Sequence, residues 1–216
     1  MLYEYIIFFA LAFIVAFSST PIAKKIAFRV GAVDVPKDAR RMHKKPVARL
    51  GGLAIFTGFI VSLLFGLLST YLNMKGIMPT RQLLGMLIGA FIIVGIGIVD
   101  DIKQLGPKLK LVFQIIAALS VVFISDIRIV NITNPFAEGG TTQFNDFVSY
   151  PLTILWIVGV TNAINLIDGL DGLAAGISSI SYLSLFFVSL ITGDAGSAII
   201  TVMLAGATLG FLPYNF

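Results

Sequence analysis

The chain has 216 residues, 57% of them hydrophobic and 12% charged, with a mean hydropathy of +0.98. That balance excludes an ordinary soluble domain. Fifteen Lys and Arg against eleven Asp and Glu give a formal charge of +4, and the lack of cysteine excludes disulfides and Cys-ligated zinc.

Seven apolar stretches are long enough to cross a hydrocarbon core of about 30 Å: about residues 2–20, 50–70, 83–99, 109–124, 150–167, 173–191 and 195–212. They are continuous rather than alternating, so the spacing predicts helices and not a β-barrel. The expected fold is all-α, a polytopic membrane helix bundle forming a single domain over residues 1–216. The first stretch opens on "MLYEY", without the basic lead of a signal peptide, and is followed by the basic stop "PIAKKIAFR". It reads as a retained helix with its N-terminus outside.

Charge orients the bundle. The loop at 21–49 holds nine basic residues, and Lys103, Lys108 and Lys110 follow the third stretch. The opposite side has only Lys75, Arg81 and Arg128. This is the positive-inside pattern, and it places both basic regions in the cytoplasm. Topology therefore explains the basic excess, and no nucleic-acid-binding module is visible.

The first loop, "VDVPKDARRMHKKPVARLGG", sets six basic residues and His43 between Pro36 and Gly51. Such a loop can be a topogenic anchor, can meet anionic lipid headgroups, or can cradle phosphate oxygens, with Arg49 suited to bidentate contact. Next comes "GIVDDIKQLGPKLK", with Asp100 and Asp101 adjacent. Neighbouring carboxylates repel unless a cation or a basic group lies between them. After the fifth stretch "NAINLIDGLDGLAAG" brings Asn162, Asn165, Asp168 and Asp171 among glycines, on the same expected side. A carboxylate at the bilayer centre costs about 2.5–3.5 kcal/mol, so a boundary position is favoured. Gly169 and Gly172 point to a break in the helix. Capping of two helices would explain one or two of these polar residues but not the Asp100–Asp101 pair. Mg²⁺ suits the donor set: it prefers oxygen, takes one or two carboxylates, and completes its shell with substrate phosphates.

The segments "RMHKKPVARLGG", "VDDIKQLGPKLKL", "NAINLIDGLDGLAAG" and the closing "GFLPYNF", in this order, resemble the polyprenyl-phosphate N-acetylhexosamine-1-phosphate transferases. That membrane family includes the phospho-N-acetylmuramoyl-pentapeptide transferase of peptidoglycan synthesis. The first loop is closer to the branch using UDP-N-acetylglucosamine. The resemblance implies transfer of sugar 1-phosphate from a UDP-N-acetylhexosamine to a polyprenyl phosphate lipid, releasing UMP, in a bacterial cytoplasmic membrane. It implies Mg²⁺, with Mn²⁺ as a substitute, and it admits a homodimer. By match to the family motifs, Asp100 and Asp101 are the catalytic pair, and Asp101, Asn165 and Asp168 hold the metal. Asn165, Asp168, Asp171, Lys103, Lys108, Lys110, His43, Arg49 and Asn215 bind substrate. The family continues past "YNF" to a Met-Gly-Asp-Thr-Gly-Ser motif with a further metal carboxylate; a C-terminal truncation, inactive alone, is therefore expected here. Two other classes fit the sequence less well. An intramembrane prenyltransferase would show two separated D-x-x-x-D-type clusters, and "DDIKQ" lacks the second aspartate at the needed offset; a cation-coupled transporter keeps its acids near the midplane, whereas here they gather on one face.

Overall fold

The structure, a computed structural model, describes residues 2–34, 46–71, 80–137 and 139–215. Its helices are α1 (Leu2–Val30), α2 (Gly51–Tyr71), α3 (Arg81–Lys103), α4 (Pro107–Ser125), α5 (Asp146–Ile167), α6 (Leu173–Thr192) and α7 (Ala195–Phe211), closed by a 3-10 turn at Leu212–Tyr214. All seven are long and apolar enough to span a membrane. The chain is a polytopic helical membrane protein. Two short antiparallel pairs join the helices: β1 (Val33–Asp34) with β2 (Val47–Ala48), and β3 (Asn131–Thr133) with β4 (Thr141–Gln143). In the second, Ile132 lies opposite Thr142.

The helices fall into two compact units. The first holds α1, α2, α6, α7 and the end of α3. Its centre is α1, which packs on both α2 and α7. Phe8, Ala12, Ala16, Thr20, Ala23 and Ala27 are buried at steps of three and four, one continuous helical face. That face explains why α1 outruns its apolar segment. The basic stretch after residue 20 reads as a stop, yet the helix continues through Pro21 to Val30. Ala23 and Ala27 stay buried while Lys24, Lys25 and Arg29 point outward.

Small residues make the contacts close. Lipid supplies no hydrophobic drive between helices, so packing and hydrogen bonds must do the work. Gly206 and Gly210 of α7 lie against the backbone of Phe9 and Phe13 of α1, where a Cβ would strike their carbonyl oxygens. Gly58 of α2 nests against Ala12 and Ala16. Ser62 donates to the Phe8 carbonyl at 2.9 Å, and Ser179 of α6 to Thr208 of α7 at 2.9 Å. Phe9, Phe13 and Phe17 stack along α1 and end on Tyr214.

The second unit holds most of α3 with α4, α5 and the β3–β4 pair. Gly85 and Gly89 let α3 approach Ser125, Ser120 and Ala117 of α4. Arg81 donates to the Ile124 and Phe123 carbonyls at 2.6 and 3.3 Å, placing a cation at the negative end of α4. Phe123 stacks on Tyr150 of α5, with centroids 5.3 Å apart.

Candidate functional site

The base of the first loop is tied in three ways. Gly31, at φ +77°, turns the chain out of α1. Val33 pairs with Ala48 and Asp34 with Val47, and the Arg49 amide donates to the Ala32 carbonyl at 3.0 Å. The Arg49 guanidinium also donates to the Asp34 carboxylate at 3.0 Å, both side chains being largely shielded. Beneath this base Ala27, Ala32 and Leu50 form an apolar plug, with Ala48 and Ile98 packed on it. Ile98 belongs to α3, so the plug docks the last turns of α3 beside the loop. His43 lies outside the described residues, as do Lys37, Arg40, Arg41, Lys44 and Lys45.

Asp100 and Asp101 follow Ile98 in the final helical turn of α3 and are both half-buried. The helix closes when Gln104 adopts φ +51° and its amide donates to the Asp100 carbonyl at 2.7 Å. The two carboxylates thus stand at the negative end of a helix, where cations are favoured. Lys103, exposed in the same turn, has the sign the dipole favours. α4 shows the converse. Gly106 is extended at its start, no side chain caps it, and Pro107 is its first residue. Lys108 and Lys110 therefore stand at a positive helix end, which favours anions. Asp100 and Asp101 at the end of α3, and Lys108 and Lys110 at the start of α4, thus each carry the sign that their own helix end disfavours.

The junction of α5 and α6 breaks where glycine was expected to break it. α5 ends at Ile167, the Gly169 amide donates to the Ile167 carbonyl at 2.7 Å, and Gly172 turns the chain at φ +71° to start α6. Asp168 and Asp171 lie in this turn, exposed at its surface and belonging to the first unit. Partial burial nevertheless pushes the Asp168 carboxyl above its ordinary value. Asn165 is exposed in the last turn of α5 and belongs to the second unit, with Lys108 and Lys110. Asn215 is half-buried behind the 3-10 turn, its amide donating to the Leu212 carbonyl at 3.0 Å. The first unit thus collects Arg49, Asp100, Asp101, Lys103, Asp168, Asp171 and Asn215, and the second Lys108, Lys110 and Asn165.

Among the described residues, no three His, Asp or Glu side chains group closely enough to hold a metal by themselves. The donor chemistry still suits a hard cation. All the oxygens are carboxylate or amide, Asp168 is partly shielded from solvent, and Asp100 and Asp101 stand at a helix's negative end.

Two features escaped the sequence reading. One is the Asp34–Arg49 pair, which shows Arg49 engaged at the loop base. The other is Gln114, a lone amide in the apolar run "LVFQII". The Asn162 amide donates to Gln114 Oε1 at 2.7 Å, and Gln114 Nε2 donates back to Asn162 Oδ1 at 3.4 Å. A single amide inside a spanning helix is itself a signal for a partner on a neighbouring helix.

The "probable undecaprenyl-phosphate N-acetylglucosaminyl 1-phosphate transferase" of Bacillus subtilis (strain 168) is 41% identical over the whole chain, which covers 58% of that relative. The decaprenyl-phosphate N-acetylglucosaminephosphotransferase of Mycobacterium tuberculosis (strain H37Rv) is 35% identical over 95% of the chain and 52% of its own length. The undecaprenyl-phosphate alpha-N-acetylglucosaminyl 1-phosphate transferase of Salmonella typhimurium (strain LT2) is 29% identical over half of the chain. The chain spans about half the length of the first two of these curated relatives. The profile of glycosyl transferase family 4 matches residues 83–216, which take in both aspartate motifs and the lysines between them, and the chain belongs to that family.

Proposed function

We propose that the protein containing this chain transfers N-acetylglucosamine 1-phosphate from its UDP-sugar to a polyprenyl phosphate, releasing UMP. The reaction would run on the cytoplasmic side of a bacterial cytoplasmic membrane. The observation that carries this reading is the charge placement: carboxylates at the negative end of α3 and lysines at the positive end of α4. A polyanionic substrate that also binds a hard cation suits both groups, since carboxylates attract the cation and lysines the anion. The names of the relatives support the choice of acceptor and sugar.

In this reaction an oxygen of the lipid phosphate attacks the β-phosphorus of the UDP-sugar, the bond to the bridging oxygen breaks, and UMP departs. Phosphoryl transfer depends mostly on positioning and charge neutralisation. Lys108 and Lys110 hold phosphate oxygens, with Lys103, Arg49 and His43 as further contacts, and Asp171 and Asn215 bind the donor. Asp101 and Asp168 would hold Mg²⁺ (or Mn²⁺), with Asn165 assigned by the resemblance. When bound, the ion neutralises pyrophosphate charge. Asp100 adds negative potential beside that pair. The second pKa of a phosphate lies near neutrality, so the attacking oxygen needs no strong base.

The test uses the complete gene product in membranes with radiolabelled UDP-N-acetylglucosamine and polyprenyl phosphate. Label should enter the lipid phase with release of UMP, EDTA should stop it, and Asp101→Asn should reduce turnover by at least about 100-fold. Transfer that persists in EDTA, or an Asp101→Asn protein of normal activity, would refute the metal assignment. No transfer to any polyprenyl phosphate would refute the reaction.

A further inference from the structure

We infer that Gln114 and Asn162 form a positioning pair that sets the substrate-binding ends of α4 and α5 against each other. The inference deepens the reading above and rests on it only for the substrate. Both residues are half-buried in the second unit. Asn162 Nδ2 also donates to the Val158 carbonyl at 2.9 Å, within its own helix. The Asn162 side chain is thereby held by α5 and presented to α4.

The two helices run antiparallel. Gln114 near the start of α4 meets Asn162 near the end of α5, while Phe123 near the end of α4 stacks on Tyr150 near the start of α5. Moving from the amide pair toward the start of α4 reaches Lys110, one turn away and on the same side of that helix as Gln114. Moving toward the end of α5 reaches Asn165, almost one turn beyond Asn162. Lys110 and Asn165 therefore stand on neighbouring helices at the same end of the unit, with the amide pair as the nearest cross-link below them.

Apolar packing alone leaves an α-helix free to rotate or slide by fractions of a turn. The reciprocal amides oppose that freedom, because rotating either helix breaks both bonds between them in an apolar setting. A group that must meet a phosphate oxygen gains from this, since a misplacement of about 1 Å can cost about 100-fold. Neither amide is proposed to touch substrate.

The experiment uses the complete gene product with Gln114→Leu, Asn162→Leu, the double variant, and the exchanged pair Gln114→Asn with Asn162→Gln. Each single variant should raise KM for UDP-N-acetylglucosamine about tenfold, and any fall in Tm in detergent should be smaller in the double variant, which leaves neither amide facing an apolar partner. The double variant should be no worse than the poorer single one, and the exchanged pair should recover most of the loss. A readout independent of activity accompanies this: spin labels on cysteines replacing Lys110 and Asn165, with the distance distribution narrow when the pair is intact. It should broaden in either leucine variant and narrow again in the exchanged pair. An unchanged distribution, or kinetic losses that follow a fall in Tm and are not recovered by exchange, would overturn the inference. A distribution that broadens as expected, together with no transferase activity in the unlabelled, unsubstituted protein, would support the inference and refute only the proposed reaction.

Discussion

Gly206→Ala tests how α1 and α7 are held together. A methyl group there would lie 3.1 Å from both the carbonyl carbon and the Cα of Phe9, and closer still to its carbonyl oxygen. At Gly210 the corresponding distances to Phe13 are 3.0 Å. These are backbone atoms and cannot rotate aside. Carbon contacts are comfortable at about 3.5–4.0 Å, so the helices must separate by roughly 0.5–1 Å, forfeiting about a quarter to a half of the attraction along the seam. Overpacking of this kind costs about 1–3 kcal/mol, while replacing a helical glycine by alanine returns up to about 1 kcal/mol. The net expectation is a loss of about 1–2 kcal/mol. Gly206→Ala with Gly210→Ala should cost less than the two singles added, because one separation relieves both clashes. Unfolding by heat or by SDS in mixed micelles provides the assay. Gly52→Ala is the control, since a Cβ there meets nothing within 4 Å. If Gly206→Ala and Gly210→Ala both unfold with the control, the close approach of α1 and α7 is wrong.

Three further outcomes are expected. The Asp168 carboxyl lies above its ordinary value because of burial, so its favourable contribution holds below the unfolded pKa and is lost as pH rises through the folded one. At neutral pH, Asp168→Asn should therefore hold or raise the Tm in EDTA and abolish the rise that Mg²⁺ gives the unsubstituted protein; an equal Mg²⁺ effect in the variant would remove Asp168 from the metal site. Arg49→Ala should change stability by at most about 1 kcal/mol, as for other partly exposed ion pairs. It should lower kcat/KM about 10- to 100-fold if the guanidinium also meets phosphate, and normal kinetics would leave it as a tie at the loop base. Finally, cysteine at position 108 should react with an impermeant reagent only after the membrane is opened, and cysteine at position 141 in intact cells. The reverse labelling would invert the orientation read from the basic residues.

What was legible in the sequence was whatever a single helix determines. The seven spans, the break at Gly169–Gly172 and the clustering of acids at helix ends all follow from local composition and glycine. The helix ends were misread where a buried stripe outlasts the apolar run. α1 continues ten residues past Thr20 because Ala23 and Ala27 still pack, and Asp100 and Asp101 fall inside α3 rather than after it. Partnerships across the chain were not legible. Asn162 sits in a motif full of chemistry-bearing residues, yet its hydrogen bonds go to Gln114 and to its own helix. Arg49 reads as a phosphate ligand by type, and only the fold of the hairpin base reveals Asp34 beside it. In both cases the missing information was a distance between helices or strands, which no periodicity encodes.

The tied base beneath the first loop has a consequence for how such a protein can diversify. The β1–β2 register, the Ala32–Arg49 backbone bond and the Asp34–Arg49 pair bring together the two chain segments that flank residues 35–46. Closure is then secured by the scaffold, and doubling the length of the enclosed segment adds only about 0.6 kcal/mol of loop entropy. Lengthening those twelve positions therefore adds little to the cost of closing the loop. Length variation in the segment that carries His43 thus costs the scaffold little, because the contacts that close it lie in β1, β2 and Arg49.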